Sequence, residues 1–366
     1  MKHAKIIAFY LPQFHPFKEN DEWWGKGFTE WTNVGKAKPL FKGHNQPRVP
    51  TELGYYDLRL PIVREQQAKM ARDAGVDAFC YWHYWFGNGK RLIADIFNEV
   101  LESGKPNFPF CLGWANHSWY AKNWNANGTA EQRVLIEQTY PGIGDEKMHF
   151  DFLLKAFKDE RYVKIDGKPL LYIFDAVSIP EEYIRNFKEW TIQAGFPGLY
   201  LVANITLARI TKEDMLKKGF DAVTFQRLGG ATSVFLRNLG NTGRRLSKIK
   251  KIIMGKILHR PPFKTDYEKL YPYLFAEEDK DERVIPSIVP QWDHTPRSGW
   301  NGSFFVNATP NLFYKHAKEV LTEVEKKKNK LVFLKSWNEW GEGNMREPDL
   351  TFGRGFIDAL YKAKNE

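Results

Sequence analysis

The fold predicted by the sequence is α/β: a single (β/α)8 TIM barrel with long loops at its C-terminal face and a basic insertion after strand six. Three observations predict it. Eight short apolar runs recur along the 366 residues, most of them followed by a helical pattern, which is the alternation of a parallel sheet. Aromatic and polar residues gather just past those runs, where a barrel carries its active site. The first run ends in Tyr10-Leu11-Pro12-Gln13-Phe14-His15, without the glycine-rich phosphate turn that a doubly wound open sheet would carry there.

In order, the first strand is expected over residues 6–11 and, after a long loop, a helix over 62–74. A strand over 77–84 precedes a helix over 91–101. A strand over 110–114 leads through a second long loop to a helix over 147–157. Strands over 170–174 and 199–203 precede helices over 181–194 and 212–218. The sixth strand, 222–225, is followed by the basic insertion (about 228–283) and a helix over 267–276. The seventh, 284–289, precedes a helix over 311–326, and 331–334 closes the series. No internal repeat and no low-complexity linker divides the chain, so residues 1–366 read as one catalytic domain.

Hydrophobic content of 43% and charged content of 27% are ordinary for a globular protein, whereas 15% aromatic residues with 13 Trp are not. Only Trp190 falls in a plain amphipathic helix pattern. The other indoles sit at or just beyond strand-like runs, a placement suited to stacking on apolar sugar faces. The first residues lead into an apolar run too short for a signal peptide, and no stretch reaches the ~20 apolar residues of a membrane span, so a cytoplasmic location is expected. Cys80 and Cys111 each lie in an apolar run and read as buried free thiols.

The net charge of +10 is uneven. Nine Lys or Arg and no acidic residue lie between Arg237 and Lys264, so the rest of the chain is nearly neutral and nothing points to nucleic acid. Across 246–258, apolar residues recur at three- and four-residue steps with lysines between. That pattern fits a cationic amphipathic helix on an anionic membrane surface, and equally an insertion whose lysines are merely solvated.

Past the strand ends, the residue types converge. Tyr10 lies near the end of strand one, Gln13 and His15 follow it, and Trp31 is in the loop beyond. Trp82 and His83 end strand two. Trp114, Asn116 and His117 end and follow strand three. Asp175, Asn204, Gln226 and Arg227 follow strands four to six, and Gln291, Trp292, Asp293 and His294 follow strand seven. Strand eight leads into Ser336-Trp337-Asn338-Glu339-Trp340-Gly341-Glu342-Gly343. Amide, imidazole, phenol and carboxylate groups among indoles suit a polyhydroxylated ligand. Each His taken singly reads more readily as pocket lining than as a base. With no His-x-His pair after strand one, no His-Glu-x-x-His and no metal-type Cys spacing, no metal or cofactor is expected. Glu339 and Glu342, three apart on a turn, supply the two carboxyls that glycosidic-bond chemistry needs, one to donate a proton and one to stay ionised.

The segments Ala8-Phe9-Tyr10-Leu11-Pro12-Gln13-Phe14-His15-Pro16, Gly27-Phe28-Thr29-Glu30-Trp31-Thr32-Asn33-Val34 and Ser336-Trp337-Asn338-Glu339-Trp340 closely resemble the WbsX-type proteins of bacterial polysaccharide-biosynthesis clusters. Those are often labelled glycosyltransferases and are similar to glycoside hydrolase family 99, the retaining endo-α-mannosidases on a (β/α)8 barrel. The resemblance spans roughly residues 5–356 and is weakest across 205–283. It implies that Glu339 removes the proton of the sugar 2-hydroxyl, which attacks its own anomeric carbon, and that Glu342 protonates the leaving oxygen and later activates the incoming nucleophile. Gly341 stands at the variable position between Trp340 and Glu342. The expected activity is cleavage or transfer of an α-linked glycosyl unit, manno-configured or similar, in cell-surface polysaccharide or O-antigen metabolism. The expected partner is an oligosaccharide or lipid-linked glycan, and the expected lining is Tyr10, His15, Trp31, Trp82, His83, Trp114, Asn116, His117, Trp292, Trp337 and Asn338. A nucleotide-sugar-dependent glycosyltransferase and a non-catalytic glycan-binding barrel stay open as alternatives, as does the oligomeric state.

Overall fold

The computed structural model describes residues 3–124, 130–229, 232, 253 and 264–366. The cationic helix expected over 246–258 lies outside the described residues, apart from exposed Ile253.

The fold is a (β/α)8 barrel of short parallel strands. They are β1 (Lys5–Tyr10), β2 (Ala78–His83), β3 (Phe110–Trp114), β4 (Lys168–Ile173), β5 (Tyr200–Ile205), β6 (Ala222–Phe225), β7 (Ser287–Ile288) and β8 (Leu331–Leu334). Helices among the described residues include, in order, α1 (Lys18–Trp24), α2 (Glu30–Lys36), α3 (Pro61–Asp73), α4 (Asp95–Ser103), α5 (Ile143–Phe157), α6 (Glu181–Gln193), α7 (Lys212–Lys217), α8 (Tyr267–Leu270), α9 (Thr295–Ser298), α10 (Pro310–Glu325) and α11 (Gly355–Asn365). All eight expected strands are present. The seventh is shorter than the expected 284–289, because Pro286 and Pro290 bracket it and neither has an N–H for a ladder.

The chain divides into two compact units. One comprises Met1–Asp77, Gln226–Glu282 and Pro286–Glu366. In it β1 pairs with β8, Ile6 opposite Val332, and β8 with β7, Phe333 opposite Ser287. Apolar residues of β1 and β8 are buried on both faces, the continuous hydrophobic run expected of a parallel strand. Helix α11 was not anticipated. It buries Phe356, Ile357 and Leu360, and Phe356 meets Phe313 of α10 at 5.6 Å.

The other unit comprises Ala78–Phe225 and Arg283–Ile285, with strand order β2-β3-β4-β5-β6. Strand alternation gives this sheet two chemically different faces. Cys80, Trp82 and Tyr172 share one face, close against Gly113. Phe79, Tyr81 and His83 share the other, which helices α4 and α5 cover through Phe97, His149 and Phe152. An antiparallel hairpin, Trp119–Trp124 with Ala130–Ile136, occupies the loop after β3.

Candidate active site

The turn after β8 is held on all sides by its own residues. The Trp337 N–H donates to the Phe9 carbonyl at 2.8 Å. Asn338 clamps the end of β1: its Oδ1 accepts from the Leu11 N–H at 2.7 Å and its Nδ2 donates to the Leu11 carbonyl at 2.9 Å. Ser336 Oγ accepts from the Glu339 N–H at 3.0 Å and donates to Asn344 Oδ1 at 3.0 Å. Trp340–Glu342 then form one 3-10 turn, closed by Gly343 at φ +61°. Glu339 caps this turn at φ -78°, ψ 68°, and its carboxylate and that of Glu342 reach the same guanidinium.

Both carboxylates meet a single guanidinium. Arg297 of α9 donates through Nη1 to Glu342 at 2.7 Å, through Nη2 to Glu339 at 3.2 Å and through Nε to Glu30 of α2 at 2.9 Å. Gly341 makes room for this group. A Cβ there would fall 1.7 Å from Glu30 Oε1 and 2.9 Å from Arg297 Nε, so the residue between Trp340 and Glu342 has to be glycine for the three-carboxylate cluster to close. The two glutamates are electrostatically unequal. Burial and the neighbouring Glu342 push the Glu339 carboxyl up to about 7, outweighing Arg297 and Lys335. Burial also acts on Glu342, but Arg297, Lys335 and His294 outweigh it and hold its carboxyl below the usual range.

Two further carboxylates shape the same unit. Asp293 Oδ2 accepts from His44 Nε2 at 2.9 Å and Gln46 Nε2 at 2.7 Å, and its Oδ1 accepts from the Thr295 hydroxyl at 2.6 Å. Its own N–H donates to the Glu342 carbonyl at 2.7 Å, tying the loop after β7 to the turn. Glu347 is 4% exposed and accepts from Tyr56 Oη at 2.8 Å, Trp340 Nε1 at 2.6 Å and Gln67 Nε2 at 2.6 Å. It therefore anchors the indole that precedes Gly341.

The expected lining residues separate into distinct environments. Within the unit that holds the glutamates, Trp31 is half-buried, its Nε1 bonded to the Tyr56 carbonyl and its ring 5.4 Å from Trp340. Trp292 is half-buried near Lys335, at 5.7 Å, with its Nε1 on Ser303. His15 is buried against Phe17. Tyr10 turns outward to α3, its hydroxyl 2.6 Å from Gln67 Oε1. Trp337 and Asn338 are fully enclosed.

In the other unit, Trp82 is half-buried beside Tyr172 and Phe174, and His117 lies against Phe174. Asn116 pins the loop after β4 by bonding both the N–H and the carbonyl of Asp175. His83 and Trp114 face the helices. His83 Nε2 is 2.9 Å from His149 Nε2, and the Trp114 ring is enclosed by His149, Tyr140 and Tyr183. Strand alternation explains the division, since a strand-end position alone does not say which face a side chain takes. Tyr10, His83, Trp114, Trp337 and Asn338 are each packed or bonded within their own unit.

Sequence reasoning missed Arg297 and Glu347, and it quoted Glu30 only within a motif. The available signal was an arginine in Thr295-Pro296-Arg297, three residues beyond His294. Among the described residues, no cluster of His, Cys, Asp or Glu forms a metal site, and no helix is long and apolar enough to cross a membrane.

The profile of the family described as Glycosyltransferase WbsX matches residues 6–360. The "Uncharacterized protein WxcX" of Xanthomonas campestris pv. campestris is 33% identical over 367 residues, covering 98% of this chain and 49% of that protein. The chain spans about half the length of the curated relatives it matches. Among solved structures, a "Glycoside hydrolase-like protein" superposes with a TM-score of 0.60 at 16% identity, over 100% of this chain and 95% of the other. The GH99 endo-alpha-mannosidase from Bacteroides thetaiotaomicron, in complex with BIS-TRIS-propane, superposes with a TM-score of 0.54 at 15% identity, over 99% and 98%. These two likenesses show the barrel fold.

Proposed function

The chain belongs to the Glycosyltransferase WbsX family, and from that premise we propose that it cleaves or transfers an α-linked glycosyl unit, manno-configured or similar, in cell-surface polysaccharide or O-antigen metabolism. The observation that carries this reading is the glutamate pair bonded to one guanidinium on a largely buried turn, with electrostatics that separate the two carboxyls. Pairs of titratable groups pushed apart in this way are the acid and base of a site. In the reaction the family resemblance implies, Glu339 takes the 2-hydroxyl proton, that oxygen closes on the anomeric carbon, and Glu342 gives a proton to the departing oxygen. Water or a sugar hydroxyl then opens the anhydro ring, its proton passing to Glu342 while Glu339 returns its proton to the freed 2-oxygen.

A nucleotide-sugar mechanism would need a place for a diphosphate. The Asp-x-Asp spacing at Asp279-Lys280-Asp281 does not offer one, because Asp279 is 2% exposed, is ion-paired with Arg227 at 2.8 Å and accepts from the Ala276 N–H at 2.8 Å. The test is mass spectrometry of α-linked oligosaccharides and lipid-linked glycans incubated with the protein, with and without nucleotide sugars. Products that form without any nucleotide sugar support the paired-glutamate reading. An absolute requirement for a nucleotide sugar overturns it.

Two expectations follow for the ligand. Trp82→Ala should weaken oligosaccharide affinity by about tenfold or more with little change in thermal unfolding. Trp114→Ala should instead cost about 3–5 kcal/mol of stability, as large core truncations do. Equal loss of stability in both variants, with affinity per folded molecule unchanged, would mean that Trp82 does not touch the ligand. The basic insertion is proposed to bring the enzyme to the cytoplasmic membrane face, where each Lys or Arg contributes about 1 kcal/mol. The protein should float with anionic but not neutral vesicles, and should lose binding when Lys248, Lys250 and Lys251 become Glu. Equal recovery with both vesicle types, or with neither, would end the anchor idea.

A further inference from the structure

We propose that Arg297 is the positioning residue that decides which of the two glutamates holds the proton they share, keeping it on Glu339 and Glu342 ionised in the free protein. This deepens the paired-glutamate reading and rests on it. The guanidinium is a rigid fork that cannot serve three carboxylates equally. Its shorter bond goes to Glu342 at 2.7 Å, its longer one to Glu339 at 3.2 Å, and Glu30 fixes the base of the fork at 2.9 Å. Glu339 is also the more enclosed partner, its side chain 10% exposed against 18% for Glu342.

Gly341 is what permits this geometry. A side chain there would strike the Glu30–Arg297 bond first, so the cluster and the glycine form one device. The groups facing the pair come from three directions. Glu30 approaches from α2, His294 and Arg297 from the loop and helix after β7, and Lys335 from the end of β8. The opposite directions of the two carboxyl shifts agree with the bond lengths.

The consequence concerns the order of events. The reaction implied by the family resemblance needs the reverse distribution, with Glu339 ionised to accept the 2-hydroxyl proton and Glu342 protonated to serve the leaving oxygen. The shared proton therefore has to pass from Glu339 to Glu342 as the Arg297–Glu342 bond opens around the substrate. One O–H bond breaks and one forms, and the charge of the pair is unchanged.

The test uses the free, full chain and no substrate, so its outcome is independent of which glycan is processed. Glutamate labelled with carbon-13 at Cδ is titrated by NMR in the unaltered protein and in E339Q, E342Q, R297M, R297K and E30Q. Two carboxyls should titrate near pH 7, that of Glu347, pushed up by burial, and that of Glu339, and only the second should vanish in E339Q; another should titrate below the usual carboxylate range and vanish in E342Q. In R297M the Glu342 midpoint should rise by a unit or more. In R297K, whose point charge cannot fork, and in E30Q, which frees the fork, the gap between the two midpoints should narrow. These two variants carry the test if R297M does not fold. A near-neutral titration that survives in E339Q and disappears in E342Q would overturn the proposal. So would midpoints that stay in place in every Arg297 and Glu30 variant that folds.

Discussion

Glu339→Gln is expected to lower turnover by about 10²–10⁴-fold, the usual contribution of general acid–base catalysis, while making the protein more stable at neutral pH. The second half follows from linkage. The folded-state carboxyl of Glu339 is raised to about 7, above its value in the unfolded chain. Its contribution is then fully present below the ordinary carboxylate range and is lost as pH rises through about 7. Glutamine carries no such loss. The variant should gain on the order of 1–3 kcal/mol above neutrality, and the difference should shrink toward pH ~4.

Glu342→Gln should lose turnover comparably but move stability the other way. Its carboxyl is held below the usual range, chiefly by Arg297 against the cost of burial, so it stabilises the fold above that range and the contribution is lost as pH falls. Thermal unfolding of both variants across pH 4–8 checks the signs. Parallel curves for the two would contradict the electrostatic inequality on which the site's reading depends.

Glu347→Leu is expected to cost about 2–4 kcal/mol and to reduce turnover through disorder of the turn, whereas Glu347→Gln should be far milder. Leucine leaves the Tyr56 hydroxyl, the Trp340 indole N–H and the Gln67 amide buried without their acceptor, and each orphaned donor costs about 1–3 kcal/mol before relaxation. Glutamine can keep an oxygen toward Tyr56 and Trp340 and turn its amide toward Gln67. Gln67 can then flip, because its other partner, the Tyr10 hydroxyl at 2.6 Å, both donates and accepts. Chemical denaturation of the two variants measures the contrast. Equal destabilisation would mean that the shape of the side chain matters there and the acceptor does not.

The barrel was legible because a parallel strand buried on both faces leaves a short apolar run in the sequence, and runs such as Phe110–Trp114, Ala222–Phe225 and Leu331–Leu334 have no competing pattern. β7 was less legible, since its apolar stretch is broken by Pro286 and ends at Pro290, neither of which has an N–H to donate to the ladder. The glutamate pair was legible from its spacing beside Gly341 and Gly343. The lining was only partly so. Trp82 and His83 are neighbours in sequence yet stand on opposite faces of β2, and a strand end gives no sign of which face a ligand reaches. Arg297 and Glu347 were hidden for another reason: a buried charge is selected by its partners, and Glu30, Tyr56 and Gln67 lie more than 200 residues away from them in the chain.

The central claim is that Glu339 and Glu342 carry out acid–base chemistry on a glycosidic bond. It is tested most directly by exposing the unaltered protein and the Glu339→Gln/Glu342→Gln double variant, both shown to be folded, to the same pool of lipid-linked and polymeric glycans and following the products by mass spectrometry. A product formed by the unaltered protein and absent with the double variant is the predicted result. The same product formed at the same rate by both would contradict the account.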